Sequence, residues 1–266
     1  MKKILLVALS LLVLVGCSSK SSTEKELTTV KVGIVGTDSV VWNYVKEEAA
    51  KEGITVEVVA FSDYKMPNAA LHSKELQLNA FQHQVYLENE IESFGYNISE
   101  IGKTYIAPLG IYSKKLTSLK DLNDGDKIAI PNDVTNGGRA LQLLQANGLI
   151  KLNDAKFPTL NDIVENPRKF EIIELAAAII PGALPDVAVA AINSGIAVDS
   201  GLNPSSDAIA IEQVDVSADN PYVNLIAVHN DYKNDPAIKK ILEIFHTDKV
   251  KELVIEDSKG AYLPVW

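Results

Sequence analysis

An α/β fold arranged in two blocks is what the amino-acid sequence predicts, on three observations. A β-branched run at Val30–Val35, a helical spacing of apolar residues and a second β-branched run at Ile54–Phe61 make a βαβ unit, whose strands should be parallel. The same strand-and-helix order starts again at Lys127 and continues to Ile192. With 266 residues, 47% of them hydrophobic, the chain can build the two cores that two blocks need.

Residues 1–16 stand outside that fold. Met1-Lys2-Lys3 is a charged start and Ile4–Val15 an apolar run short for a membrane span, the pattern of a secretory signal peptide. Leu14-Val15-Gly16-Cys17 looks like a bacterial lipobox, which makes Cys17 the lipidated N-terminus of the mature chain. Cys17 is also the only cysteine, so no disulfide framework or cysteine-ligated metal can form. Residues 17–29, rich in Ser, Thr, Lys and Glu, read as a solvated tether.

After the first strand, Gly36-Thr37-Asp38-Ser39 offers turn and N-cap chemistry, and Val40, Val41, Tyr44, Val45 and Ala49 recur at helical spacing up to Gly53. Beyond Phe61, Leu71–Leu78 is expected to be helical and Ile106–Tyr112 a strand. In the second block Lys127–Ile130 reads as a strand, Gly137–Asn147 as a helix stopped at Gly148, Phe170–Leu175 as a strand and Asp186–Ile192 as a buried run. Tyr222–Val228 is again a strand, and Pro236–Phe245 and Lys249–Glu256 are amphipathic helices. Two interleaved lobes follow, residues 30–112 with 223–266 as lobe 1 and 113–222 as lobe 2.

Several function classes fit poorly. The net charge is −10, with 35 acidic and 25 basic residues interspersed and no clustered basic face, so nucleic acid is not expected as a partner. Gly33 and Gly36 lack the third glycine of a dinucleotide fingerprint, and no Gly-Lys-Ser/Thr follows the later glycine pair. His72, His83, His229 and His246 include no helical metal pair, and no Gly-x-Ser-x-Gly elbow occurs. No catalytic residue, metal site or cofactor is expected.

Three stretches could carry binding. In IPNDVTNGGRALQLL, Ile130–Leu144, either Thr135 or Asn136 can cap a helix. Gly137 and Gly138 each cost that helix about 1 kcal/mol against alanine. Arg139 then sits near the positive end of its dipole. An anion docked on the free N–H groups would offset these costs, with Arg139 gripping a carboxylate bidentately; a plain turn followed by a surface arginine is the other reading. On the first reading, removing Arg139 from the empty protein should leave stability unchanged or raise it by about a few tenths of a kcal/mol.

In NAFQHQVYLENE, Asn79–Glu90, Phe81 and His83 would share one face of an extended segment and Gln82 and Gln84 the other, with Tyr86 following. Together with Tyr64 they could wall an apolar slot beyond the carboxyl ends of parallel strands, or simply be core aromatics beside a solvated histidine. Asn193 ends the run Val187–Ile192 and Asn224 interrupts PYVNLIAV, where asparagine is normally depleted. Each needs either a backbone partner or a ligand.

Taken together these residues resemble the methionine-binding lipoproteins of the MetQ/NlpA type, substrate-binding subunits of amino-acid ABC importers, over nearly all of the mature length. The resemblance is carried by Asp63-Tyr64 with Pro67-Asn68-Ala69 and Leu71, NAFQH with Tyr86-Leu87, PNDVTNGGRALQLLQANGLIKL, AAIN with Ala197, PYVNLIAV and KGAYLPVW. It implies a type 2 periplasmic-binding-protein-like fold, each lobe a mostly parallel sheet flanked by helices, closing over an amino acid. By matching position Arg139 would bind the ligand carboxylate, Asn193 and Asn224 its polar end, and Tyr64, Phe81, His83 and Tyr86 its side chain. Methionine is the leading ligand, with transporter permease and ATPase subunits as partners. A monomer is expected, anchored by lipid on the extracytoplasmic face of the cell membrane. Leu78, Ala80, Val85 and Ile196 depart from the family pattern, which leaves another apolar amino acid or a methionine-containing peptide open. An anchored enzyme or an adhesive surface lipoprotein is the alternative to a binding role.

Overall fold

A computed structural model describes residues 28–36 and 39–266; the signal segment and Cys17 lie outside the described residues. The chain enters at β1 (Thr29–Val35), α1 (Val40–Lys51) and β2 (Thr55–Phe61), then α2 (Met66–His72), β3 (Leu78–His83), α3 (Gln84–Phe94) and β4 (Ile98–Ile106). It continues through β5 (Gly110–Tyr112), β6 (Lys127–Pro131), α4 (Val134–Ala146), β7 (Lys151–Leu152), β8 (Ile163–Glu165), β9 (Glu171–Leu175) and α5 (Ile180–Ala183). It ends with β10 (Val189–Ile192), α6 (Ser194–Asp199), α7 (Pro204–Asp207), β11 (Ala210–Ile211), β12 (Val223–His229), α8 (Pro236–Phe245), α9 (Asp248–Asp257) and β13 (Leu263–Pro264).

Two sheets organise these elements. The first has the order β13-β4-β12-β3-β1-β2 and the second β11-β5-β10-β6-β9; β7 and β8 form a separate small ladder. The predicted βαβ unit is present, with β1 parallel to β2 from Thr29↔Thr55 to Val35↔Phe61. Both sheets, however, are mixed rather than mostly parallel: β12 is antiparallel to β3 and β4, and β5 is antiparallel to β10 and β11. The strand by which the chain enters the second sheet, β5, and the one by which it returns to the first, β12, run against the βαβ strands of their sheets, so the antiparallel pairs arise where the chain crosses over.

Helix α1 shows why the local sequence folds as it does. Ser39 accepts from the Trp42 N–H at 3.2 Å as N-cap, and Gly53 ends the helix at φ 78°, where a side chain would be strained. Its face Val41, Trp42, Val45 and Ala49 packs with Val30, Val32 and Val56 of the sheet and with Ile238, Ile241 and Phe245 of α8. The second core joins Ile128 and Ile130 of β6 to Leu141 and Leu144 of α4. Central strands β6 and β10 are buried on both faces, which is why they read as unbroken apolar runs. No helix among the described residues is long and apolar enough to cross a membrane.

Two expected elements differ. Helix α2 lies earlier than Leu71–Leu78, starting at Met66 with Pro67 in its first turn; the chain then turns at Lys74, φ 65°, and Leu78 opens β3. Leu71, Leu76 and Leu78 are all buried, so their spacing mimics a helix face while two elements supply it. The strand expected at Ile106–Tyr112 is two strands in different sheets, because Pro108 has no N–H to give a ladder. The chain therefore passes from the first sheet to the second at residues 107–109, and Gly110–Tyr112 pairs in the second.

Candidate functional site

The carboxyl end of β3 delivers the aromatic side chains. Its base is locked by three buried amides: Asn68 and Gln82 exchange bonds of 2.8 and 2.7 Å, Gln82 also donates to Asn79 at 2.9 Å, and Asn79 donates to Asn68 at 2.9 Å. Every member is satisfied, so the strand is held in one arrangement. Above it the Tyr64 and Phe81 rings stack at 5.9 Å, and Tyr86 meets Phe81 edge-on at 5.8 Å. Tyr86 donates its hydroxyl to the Tyr64 carbonyl at 3.0 Å. Gln84, placed opposite His83 in the strand reading, is instead the first residue of α3 and bonds Glu88 at 2.8 Å.

His83 is the N-cap of α3, its Nδ1 accepting from the Tyr86 N–H at 3.1 Å. Burial first, and then the nearby Arg139 cation, push its pKa down to about 3. It is a neutral imidazole, not a solvated histidine. Val85, one of the departures from the family pattern, donates its N–H to the Pro221 carbonyl at 3.2 Å, a bond that proline could not make.

Helix α4 corrects the reading of the glycine pair. Its N-cap is Asp133, neither Thr135 nor Asn136, and Asp133 Oδ1 accepts from the Asn136 N–H at 2.9 Å. The helix begins at Val134, so Arg139 lies beyond the first turn and the dipole's positive end already has a carboxylate. The glycines are needed for approach: a Cβ on Gly137 would lie 2.7 Å from the Pro131 carbonyl oxygen, and one on Gly138 3.1 Å from that of Pro158. Gly137→Ala is therefore expected to destabilise the protein by about 1–3 kcal/mol in urea unfolding through overpacking against fixed backbone, although alanine is the better helix former. A stabilised variant would return the glycines to the anion-cradle reading.

Arg139 is only 4% exposed and its fork is already engaged. Nε bonds both Glu212 oxygens at 2.8 and 3.0 Å, and one terminal nitrogen bonds Glu212 and, at 3.0 Å, the Ala107 carbonyl. The guanidinium also stacks 4.5 Å from the Tyr222 ring centre. It is neither a surface arginine nor a free bidentate clamp. Among the described residues no hydrogen bond engages its other terminal nitrogen.

Asn193 stands at the N-cap position of α6 yet makes no cap bond. Its Nδ2 reaches Asn136 Oδ1 at 2.7 Å, and its own Oδ1 is buried with no hydrogen-bond partner. Asn136 in turn donates Nδ2 to both Asp133 oxygens, at 2.9 and 3.1 Å. Asn224 pairs with His83 across β12 and β3. Beside it Tyr105, pushed up to about 12 by burial, stacks on Tyr262 at 4.4 Å. Burial raises Asp133 as well, against the hydrogen bonds from Asn136 and Thr135 that favour its charged form.

All seven predicted residues, Tyr64, Phe81, His83, Tyr86, Arg139, Asn193 and Asn224, line one cavity of about 90 Å3 between the two sheets. At roughly 10–15 Å3 per water that is room for one small organic molecule. Asn136, Tyr105, Asp199 and Tyr262 also line it and were not predicted as site residues. Asn136 lay in a quoted stretch but read as a cap, and Tyr262 lay in the closing motif without a role. Tyr105 and Asp199 carry no local signal. Ile196 lines the cavity, Ala80 lines an adjoining one, and Leu78 is core. Among the described residues no cluster of His, Cys, Asp or Glu could hold a metal ion.

Two α/β lobes with a small aromatic and polar cavity between them define a solute-binding protein of the periplasmic kind. The chain belongs to the NlpA lipoprotein family, whose profile matches residues 30–266. It is 42% identical over 262 residues, 96% of this chain and 94% of the relative, to the D-methionine-binding lipoprotein MetQ of Salmonella typhi. Among solved structures it is similar to a nutrient binding protein from Burkholderia cenocepacia bound to methionine, with TM-score 0.84, 45% identity and coverage of 89% of this chain and 100% of that one. It is likewise similar to an ABC transporter periplasmic substrate-binding protein from Coxiella burnetii, with TM-score 0.82, 40% identity and coverage of 89% and 100%.

Proposed function

We propose that this chain captures methionine between its lobes and hands it to the permease and ATPase subunits of an ABC importer. The observation that carries the reading is the juxtaposition in one cavity of a buried cation, Arg139, and an unsatisfied acceptor, Asn193 Oδ1, under a wall of aromatic rings. A zwitterion needs both: the guanidinium for its carboxylate, the amide oxygen for its ammonium. Asn224 completes the polar end, and Tyr64, Phe81, His83 and Tyr86 surround a thioether, which packs well on aromatic rings. The names of the relatives, MetQ and the methionine-bound Burkholderia protein, support the same ligand.

Residues 30–106 with 223–266 form one lobe and 110–222 the other, closing about the crossing at residues 107–109. The mature protein is a monomer held on the extracytoplasmic face of the cell membrane by lipid on Cys17. Two measurements test this. Methionine at about 100 times its Kd should add roughly 2.7 kcal/mol to the stability of ligand-stripped protein, and no stabilisation by any amino acid or short peptide would reject the binding role. Cys17→Ser should leave binding intact and release the protein from membranes; a variant that still fractionates with them would reject the lipid anchor.

A further inference from the structure

The cavity holds a chain of amides whose direction is set from one end. Asp133, when ionised, can only accept, and the Asn136 backbone N–H already donates to its Oδ1. The Asn136 side chain lies 2.9 and 3.1 Å from both carboxylate oxygens, so it must present Nδ2 there and turn Oδ1 the other way. That oxygen receives Asn193 Nδ2 at 2.7 Å and faces His83 Nε2 at 3.4 Å. Two consequences follow from donor and acceptor counting alone. Asn193 is left with its oxygen, the atom without a partner, for the ligand. His83, with Nδ1 accepting from the Tyr86 N–H, carries its proton on Nε2.

We propose that Asp133 and Asn136 are positioning residues that dictate the polarity of the site, forcing Asn193 to offer an acceptor, so that the cavity selects ligands bearing an ammonium beside the carboxylate. This rests on reading the cavity as an amino-acid site. Asn136 is 3% exposed and Arg139 lies one helical turn along the same helix, so α4 supplies both the cation and the device that orients the opposite pole. Without the relay the Asn193 amide could turn over and present Nδ2, which repels an ammonium.

Binding of methionine and of 4-(methylthio)butanoate, the same molecule without its amino group, separates orientation from mere packing. Asp133→Ser keeps a good N-cap but can donate as well as accept, and Asn136→Ala removes the relay. Each is expected to lose about tenfold or more in methionine affinity while binding of the deaminated acid changes by less than about twofold. Asp133→Asn keeps an acceptor oxygen on the cap and should retain affinity within about threefold. In ligand-free protein the Asn193 side-chain NH2, held by Asn136 Oδ1, should exchange slowly with solvent in the wild type and about tenfold or more faster in Asn136→Ala. Equal losses for both ligands, unchanged methionine affinity in both relay variants, or an Asn193 side-chain NH2 that exchanges equally fast in wild type and Asn136→Ala would overturn the relay. If wild-type protein binds neither ligand, the amino-acid reading fails by itself, and exchange of the Asn193 side-chain NH2 in the empty wild type and Asn136→Ala proteins still decides for or against the relay.

Discussion

Arg139→Ala should abolish ligand binding and also destabilise the empty protein by about 3–5 kcal/mol, because it leaves the Glu212 carboxylate, 17% exposed, without its cation. This reverses the sign expected from a cation near a helix N-terminus. The guanidinium is tied to Ala107 and, through Glu212, to the crossing between lobes, since Glu212 also accepts from the Leu109 N–H at 3.0 Å. Glu212 is not among the residues lining the cavity. It holds Arg139 from outside the cavity lining. A paired replacement, Arg139→Met with Glu212→Gln, should recover most of the lost stability, as removing both charges usually does, and still fail to bind. Urea unfolding and calorimetric titration of the two proteins would check this. Tight binding by either one would remove Arg139 from the site, and an unchanged midpoint in Arg139→Ala would mean that the ion pair contributes nothing.

Acid should destabilise the wild type more steeply than His83→Asn. An unfolded histidine takes up a proton near pH 6.5, whereas His83 resists until about pH 3, so between those values the unfolded state binds more protons. The contribution is therefore fully present above about pH 6.5 and falls by about 1.4 kcal/mol per pH unit below it, reaching about 2 kcal/mol by pH 5. Glu90, Asp133 and Asp199, all raised by burial, act in the opposite sense, adding stability as the pH falls through their raised values. Both proteins carry those carboxylates, so the difference between them isolates the imidazole. Asparagine keeps an acceptor for the Tyr86 N–H, preserving the cap. Stability curves that stay parallel from pH 7.5 to pH 5 would show that His83 is hydrated in the folded protein.

Much of the fold was legible because its signals are local. The alternation at Val30–Val35, the helical face of α1 and the unbroken apolar runs of β6 and β10 each state their own periodicity and burial. Leu71–Leu78 misled for the same reason: three buried leucines carry a helix-like spacing although a turn separates them. Antiparallel pairing of β12 with β3 and β4 was not legible, since a strand's own residues do not name the neighbour it will meet.

By itself the sequence determined that two α/β blocks would form, that a cation and two out-of-place asparagines needed partners, and which aromatic residues would accompany them. Side-chain chemistry and spacing are properties of the chain, and together with the resemblance to a family they selected seven of the residues that line the cavity. Only the tertiary structure decided what the glycines and Arg139 do there. Gly137 and Gly138 answer to the Pro131 and Pro158 carbonyls, Arg139 to a glutamate from the far end of the same lobe, and the Asn193 amide to an aspartate on another helix's cap. Gly137 and Pro131 are close along the chain, but the other contacts join residues remote in sequence, and a hydrogen bond's direction is fixed by whichever partner can only accept.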